Sequence, residues 1–252
     1  MVRVKICGNT DAQQIAWCVA AGADCVGIVV EYPVPVPWNL SRDQARELLE
    51  VVPPLVTRAV VTGGDVEHVL AIARVLHPHL IQLHTDNTCD ETLRIAQALA
   101  DLGIGLIRAL RIDSDTGLAC GEIPDPVEAA LALQQTGVAA VLVDARTRQL
   151  PAGTGVRVDW EIALAGRQAV ERPVILAGGL TPGNVRAAIE QVRPFAVDVI
   201  SGVEVSRTVK SPERVRQFVQ QAREAGCREQ EGGCWSSRVS GCGGPCPLHE
   251  TH

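Results

Sequence analysis

The sequence predicts an α/β protein of the (β/α)8 TIM-barrel class, and three observations carry that prediction. Short β-branched runs alternate strictly with amphipathic helical stretches. The alternation repeats eight times within the first 225 of the 252 residues, a length typical of one such barrel. Aromatic residues are only 3% of the chain, so the core is built from Val, Leu, Ile and Ala, which suits parallel strands covered on both faces. An open doubly wound sheet usually has fewer strands, and no GxGxxG follows the first strand here.

The strands are expected at 2–7, 25–30, 56–61, 80–84, 104–110, 139–144, 173–177 and 196–200. The helices between them are expected at 11–21, 41–51, 65–76, 89–101, 125–135, 159–169, 182–191 and 211–224. Thr10, Ser41, Asp65, Thr181 and Ser211 stand where N-caps belong, because a short oxygen-bearing side chain satisfies the first free amides of a helix. Pro182 and Pro212 fall at first helical positions, and Gly22 and Gly137 follow helices as stops. The three prolines of 32–40 forbid a helix, so that stretch reads as an extended loop over the barrel mouth. A second long loop is expected at 113–124.

These features divide the chain into a catalytic barrel, 1–225, and a flexible Cys/Gly-rich tail, 226–252, without apolar periodicity and disordered in isolation. Of nine cysteines, Cys7, Cys18, Cys25, Cys89 and Cys120 lie in the barrel and Cys227, Cys234, Cys242 and Cys246 in the tail. The start of the chain lacks the pattern of a signal peptide, so the body cysteines read as reduced thiols and the protein as cytoplasmic. The net charge of −6 argues against nucleic acid as a partner, and no apolar run reaches membrane-spanning length. Cys242, Cys246, His249 and His252 bring four soft ligands together, either as a zinc site or as a floppy extension with tighter spacing than a finger.

Barrel chemistry is built at the C-terminal strand ends. The first strand ends in Cys7-Gly8-Asn9, the fourth in Gln82-Leu83-His84 and the sixth in Asp144-Ala145-Arg146. The seventh ends in Gly178-Gly179 and the eighth in Ser201-Gly202. The last two turns are the usual phosphate site of such barrels, since glycine lets backbone N–H groups approach the anion. Gly155 in the loop after the sixth strand adds flexible backbone there. A thiol and a carboxyl on opposite sides of one pocket make an acid–base pair. An ordinary thiol titrates near about 8.5, so nearby cations must lower Cys7 for it to serve as a base, and Lys5 should share its barrel face. Arg146 either assists or is solvated, and His84 reads as a pocket-lining residue.

VKICG at the first strand, QLH at the fourth, LVDAR at the sixth, LAGGLTPGNV at the seventh and PFAVDVISGVE at the eighth resemble phosphoribosylanthranilate isomerase, over about residues 2–222. The resemblance implies a barrel enzyme of tryptophan biosynthesis, an intramolecular aldose–ketose isomerase that uses neither metal nor cofactor. It implies Cys7 as general base and Asp144 as general acid. It implies a small phosphorylated substrate held by Gly155, Gly178, Gly179, Ser201, Gly202, Gln82 and His84, in a monomer or homodimer.

The sequence also departs from that family. Trp38 falls where the family usually carries an arginine that contacts the anthranilate carboxylate, and Arg42, Arg108 and Arg111 are candidates to replace it. Trp38 itself either stacks on an aromatic ring or caps the mouth. Thr85 replaces a glycine after QLH, and SRTVKSP follows the SGVE motif in place of proline-glycine. The alternatives are an isomerase of another aminoaldose phosphate and a non-catalytic barrel that binds a phosphorylated ligand.

Overall fold

Eight parallel strands close into a barrel in the computed structural model, which describes residues 1–146 and 158–228. The sheet has nine strands, eight of them in the ring: β1 (Arg3–Ile6), β2 (Cys25–Val30), β3 (Asn39–Leu40), β4 (Thr57–Thr62), β5 (Leu80–Leu83), β6 (Gly105–Asp113), β7 (Ala140–Arg146), β8 (Val174–Leu176) and β9 (Ala196–Val199). The sheet runs β1-β9-β8-β7-β6-β5-β4-β2-β3, and pairing of β1 with β2 closes it. The two-residue β3 hangs outside the ring on β2, with Val29 opposite Asn39. A small antiparallel hairpin, β10 (Glu204–Ser206) and β11 (Val209–Lys210), follows the last barrel strand.

The helices are α1 (Ala12–Ala20), α2 (Arg42–Glu50), α3 (Val66–Leu76), α4 (Cys89–Asp101), α5 (Pro126–Gln135), α6 (Trp160–Ala169), α7 (Val185–Val192) and α8 (Pro212–Arg228). Ser41 and Asp65 cap α2 and α3 as expected, and Ser41 forms a reciprocal capping box with Gln44. Ser211 Oγ accepts from the Arg214 amide at the start of α8. That last helix runs to Arg228, past residue 225.

Four local expectations need correction. Asp11 rather than Thr10 caps α1, accepting from the Gln14 amide at 2.8 Å. The seventh helix begins at Val185, not at Pro182. Asn184 folds back instead, its Oδ1 accepting from the Thr181 amide at 2.7 Å while its Nδ2 donates to the Gly179 carbonyl at 2.9 Å. This side chain competes with helical hydrogen bonding and fixes a turn. The stretch 32–40 contains β3, and Asn39 ties its base by exchanging hydrogen bonds with the Tyr32 backbone at 2.8 and 3.0 Å. The strand expected at 104–110, β6, extends through Asp113 into the expected loop, because it keeps pairing with β7 as far as Asp113 opposite Arg146.

Two apolar regions hold the barrel together. The larger lies between strands and helices and includes Val4, Ile6, Ile28, Leu99, Val141 and Phe218. The smaller fills the barrel axis with Ile107, Ala109, Ala140, Leu142, Ile175, Ala177 and Ala196. Successive strand side chains point to opposite faces. The inward parity of Leu142 therefore continues to Asp144 and Arg146, and that of Ala196 to Asp198.

Candidate active site

That parity delivers the strand-borne site residues to one cleft at the C-terminal mouth. Cys7, Gln82, His84, Asp144, Gly178, Gly179, Ser201 and Gly202 all line it. Gly155 lies outside the described residues, as do the tail residues Cys234, Cys242, Cys246, His249 and His252.

Cys7 stays in the sheet ladder, its amide donating to the Val199 carbonyl at 2.9 Å. Its thiol lies over Gly27 of β2, where a Cβ would stand 2.5 Å from the sulfur. A glycine inside a strand marks such a close approach, and here it makes room for the thiol. Gly8 then turns the chain away with φ +68°, between Ile200 and the indole of Trp38.

Beneath the thiol, Lys5 Nζ donates to Asp198 Oδ2 at 2.8 Å, both side chains being buried. Burial opposes the Lys5 ammonium, yet Asp198 and the thiols of Cys7 and Cys25 outweigh it and hold Lys5 above the usual lysine range. Burial pushes the Cys7 thiol up, while the Lys5 ammonium pulls it back toward ionisation. The expected lowering of Cys7 is thus only a partial offset, because the thiol is wholly shielded from water. Burial also pushes the Cys18 and Cys25 thiols up to about 12, which keeps both inert.

Across the cleft, Asp144 Oδ1 accepts from the Ala145 amide at 2.8 Å. Its Oδ2 lies 3.4 Å from His84 Nε2, within ion-pair range but without hydrogen-bond alignment. Gln82 Nε2 sits 3.2 Å from His84 Nδ1, and the Tyr32 hydroxyl donates to the His84 carbonyl at 2.8 Å. Buried polar atoms are normally paired. Three that line this cleft, Gln82 Oε1, His84 Nε2 and Asp198 Oδ1, have no hydrogen-bond partner among the described residues.

The turns after β8 and β9 interlock at the far wall. Gly178 and Gly179 have φ +80° and +63°. A Cβ on Gly202 would stand 1.8 Å from the Leu180 carbonyl oxygen, so only glycine lets these two backbones meet. Both turns expose main chain toward the cleft.

The near wall is apolar, formed by Val29, Tyr32, Val36, Trp38, Val61 and Ile200. Trp38 is buried in this wall, and its Nε1 donates to Glu204 Oε1 at 2.6 Å. The fully buried Lys210 stands 3.8 Å from the same oxygen. Burial lowers the Lys210 ammonium below the usual lysine range, against the pull of Glu204.

The three arginines offered as replacements at the Trp38 position are already engaged. Arg42 holds Glu31 Oε2 through Nε at 2.9 Å and Nη2 at 2.8 Å. Arg108 is buried against the carbonyls of Ala109 and Asn87. Arg111 clamps both oxygens of Asp86. Among the described residues no group of three or more His, Cys, Asp or Glu is arranged to hold a metal ion. None of the described helices is long and apolar enough to cross a membrane.

Sequence reasoning missed Asp198, Glu204, Lys210 and the pair of Asp86 with Arg146. Asp198 had a visible signal, a carboxylate in the middle of an apolar strand. The others meet only through the fold.

The family model for N-(5'-phosphoribosyl)anthranilate isomerase matches residues 4–221. The N-(5'-phosphoribosyl)anthranilate isomerase of Haloferax volcanii is 41% identical over 226 residues, covering 89% of this chain and 95% of that protein. The crystal structure of the Thermotoga maritima phosphoribosyl anthranilate isomerase superposes with a TM-score of 0.74 at 32% identity, covering 89% of this chain and all of that one. A structure of such an isomerase with reduced 1-(o-carboxyphenylamino)-1-deoxyribulose 5-phosphate gives a TM-score of 0.71 at 32% identity, with coverage of 89% and 100%. With the thiol, the carboxyl and the paired glycine turns gathered at one barrel mouth, the match over nearly the whole barrel means that this chain belongs to the N-(5'-phosphoribosyl)anthranilate isomerase family.

Proposed function

We propose that this chain converts N-(5'-phosphoribosyl)anthranilate to 1-(2-carboxyphenylamino)-1-deoxyribulose 5-phosphate, the aldose–ketose isomerisation of tryptophan biosynthesis. One observation carries the assignment of roles. Cys7 and Asp144, a potential base and a potential acid, line the same cleft as the glycine turns that suit a phosphate.

In this reading Asp144 gives its proton to the furanose ring oxygen. The ring C–O bond breaks as the anilino nitrogen lone pair forms the C=N bond of a protonated Schiff base. The Cys7 thiolate then takes the proton from C2, and that electron pair flows toward nitrogen to give an enolamine. The enolamine tautomerises to the ketone, losing its hydroxyl proton and gaining one at C1. The two steps need one group protonated and one ionised in the same pocket. The Lys5 ammonium supports the thiolate. The unpartnered polar atoms of Gln82, His84 and Asp198 suit the ribose hydroxyls, and the amides around Gly178, Gly179, Ser201 and Gly202 suit the phosphate.

The test is the fluorescence decay of freshly made phosphoribosylanthranilate with wild type, Cys7→Ser and Asp144→Asn. Wild type consumes the substrate, and each variant loses about 10²- to 10⁴-fold in rate, the usual worth of a positioned acid or base. Full activity in either variant removes that residue from its role. Inert wild type that still binds a sugar phosphate returns the non-catalytic alternative.

A further inference from the structure

Two levels of paired side chains stand between β5 and β7. At the lower level His84 Nε2 faces Asp144 Oδ2 at 3.4 Å. At the upper level, two residues further along each chain, Asp86 Oδ2 faces Arg146 Nη1 at 3.5 Å. Alternate strands of an eight-stranded barrel place side chains in the same layer, and β5 and β7 are alternate strands. The upper pair therefore forms the layer above the proposed acid, beyond the residues that line the cleft itself.

We propose that Arg146 is the residue that recognises the carboxylate on the substrate's aromatic ring. The inference rests on the isomerase reading, which supplies a substrate with an aryl carboxylate beside the reacting sugar. Taking that carboxylate out of water requires a cation or several donors.

The other candidate cations are committed. Arg42 holds Glu31 through two nitrogens and Arg111 clamps both oxygens of Asp86. Trp38 has only its indole N–H to offer, and that donates to Glu204. Arg146 touches Asp86 at the long end of ion-pair range, and its side chain is 41% exposed. The groups around it leave it donors to spare. Asp113, opposite it on β6, has its Oδ1 taken by the amides of Asp115 and Thr116. Cys120 supplies only a thiol. Asp86, itself held by Arg111, fixes one side of the Arg146 guanidinium in the layer above Asp144.

The test uses two stable probes, reduced 1-(o-carboxyphenylamino)-1-deoxyribulose 5-phosphate and its counterpart without the carboxylate. Affinities are measured by calorimetry on wild type, Arg146→Ala and Arg146→Lys. Wild type prefers the carboxylated probe by about tenfold to a hundredfold, the worth of a partly exposed charge-assisted contact. Arg146→Ala loses that preference by weakening only the carboxylated probe, and Arg146→Lys keeps part of it. A preference that survives Arg146→Ala, or equal weakening of both probes, overturns the assignment. Turnover of phosphoribosylanthranilate by wild type is scored separately. Discrimination through Arg146 without turnover overturns the reaction and keeps the recognition residue, whereas turnover without discrimination does the reverse.

Discussion

Lys5 and Asp198 form an ion pair at 2.8 Å with side chains only 3% and 6% exposed, directly beneath the thiol of Cys7. A buried pair is weak evidence of stability, because desolvating two charges offsets most of their attraction. Its position two residues before Cys7 makes it a better fit to function. The pair holds a permanent ammonium next to a sulfur that burial would otherwise keep protonated.

This predicts the pH profile. Burial raises the Cys7 thiol, so the thiolate fraction, and with it kcat/KM, climbs as pH rises through the thiol's folded value. Lys5 lowers that value, so its removal moves the climb to higher pH. The double variant Lys5→Met, Asp198→Asn removes the ammonium without stranding a carboxylate. Its profile shifts in the alkaline direction, and an unmoved midpoint separates the pair from the thiol's ionisation.

Gly27→Ala tests the space that the thiol occupies. The new Cβ meets the sulfur at 2.5 Å and must displace it. Misplacement of a reacting group by about 1 Å costs about 10²-fold in rate. The variant stays folded by circular dichroism while kcat falls by that order. Unchanged kcat would show that Cys7 works from another rotamer.

Gly202→Ala attacks the interlocked turns. Its Cβ falls 1.8 Å from the Leu180 carbonyl oxygen, so the two backbones must part. We expect a loss of about 3 kcal/mol in urea unfolding, at the upper end for overpacking, together with a raised KM. Wild-type stability in this variant contradicts the contact.

Glu204→Gln leaves the buried Lys210 ammonium without a counter-charge while keeping an acceptor for Trp38. Stranding a buried charge costs about 3–5 kcal/mol, measurable as a lower urea midpoint. The compensated double variant Glu204→Gln, Lys210→Met recovers most of that loss. A single variant as stable as wild type would place water, not Glu204, against Lys210.

The barrel was legible because its signals are local. A period of two at each strand and of 3.6 at each helix shows in a window of a dozen residues, and so does a thiol or carboxyl at a strand end. What escaped depended on side chains meeting across the fold. TPGN reads as a helix start until Asn184 turns back on Gly179 and Thr181. Nothing near Glu204 and Lys210 in the sequence shows that Trp38, from the loop after β2 two strands along the ring, reaches them. Arg42, Arg108 and Arg111 looked equivalent as carboxylate ligands until Glu31, Asn87 and Asp86 were seen to hold them.

The closure of the sheet has a consequence for the order in which the protein becomes active. Strand β1 pairs with β9, so the first strand to leave the ribosome waits for the last. Lys5 meets Asp198 only when 193 further residues have been added. Until then the thiol of Cys7 has neither its floor of charge nor the facing turn from Ile200 to Gly202. Chains released early by a stalled ribosome carry the nucleophilic sulfur but no working pocket, so translation itself withholds the chemistry until the barrel is nearly complete.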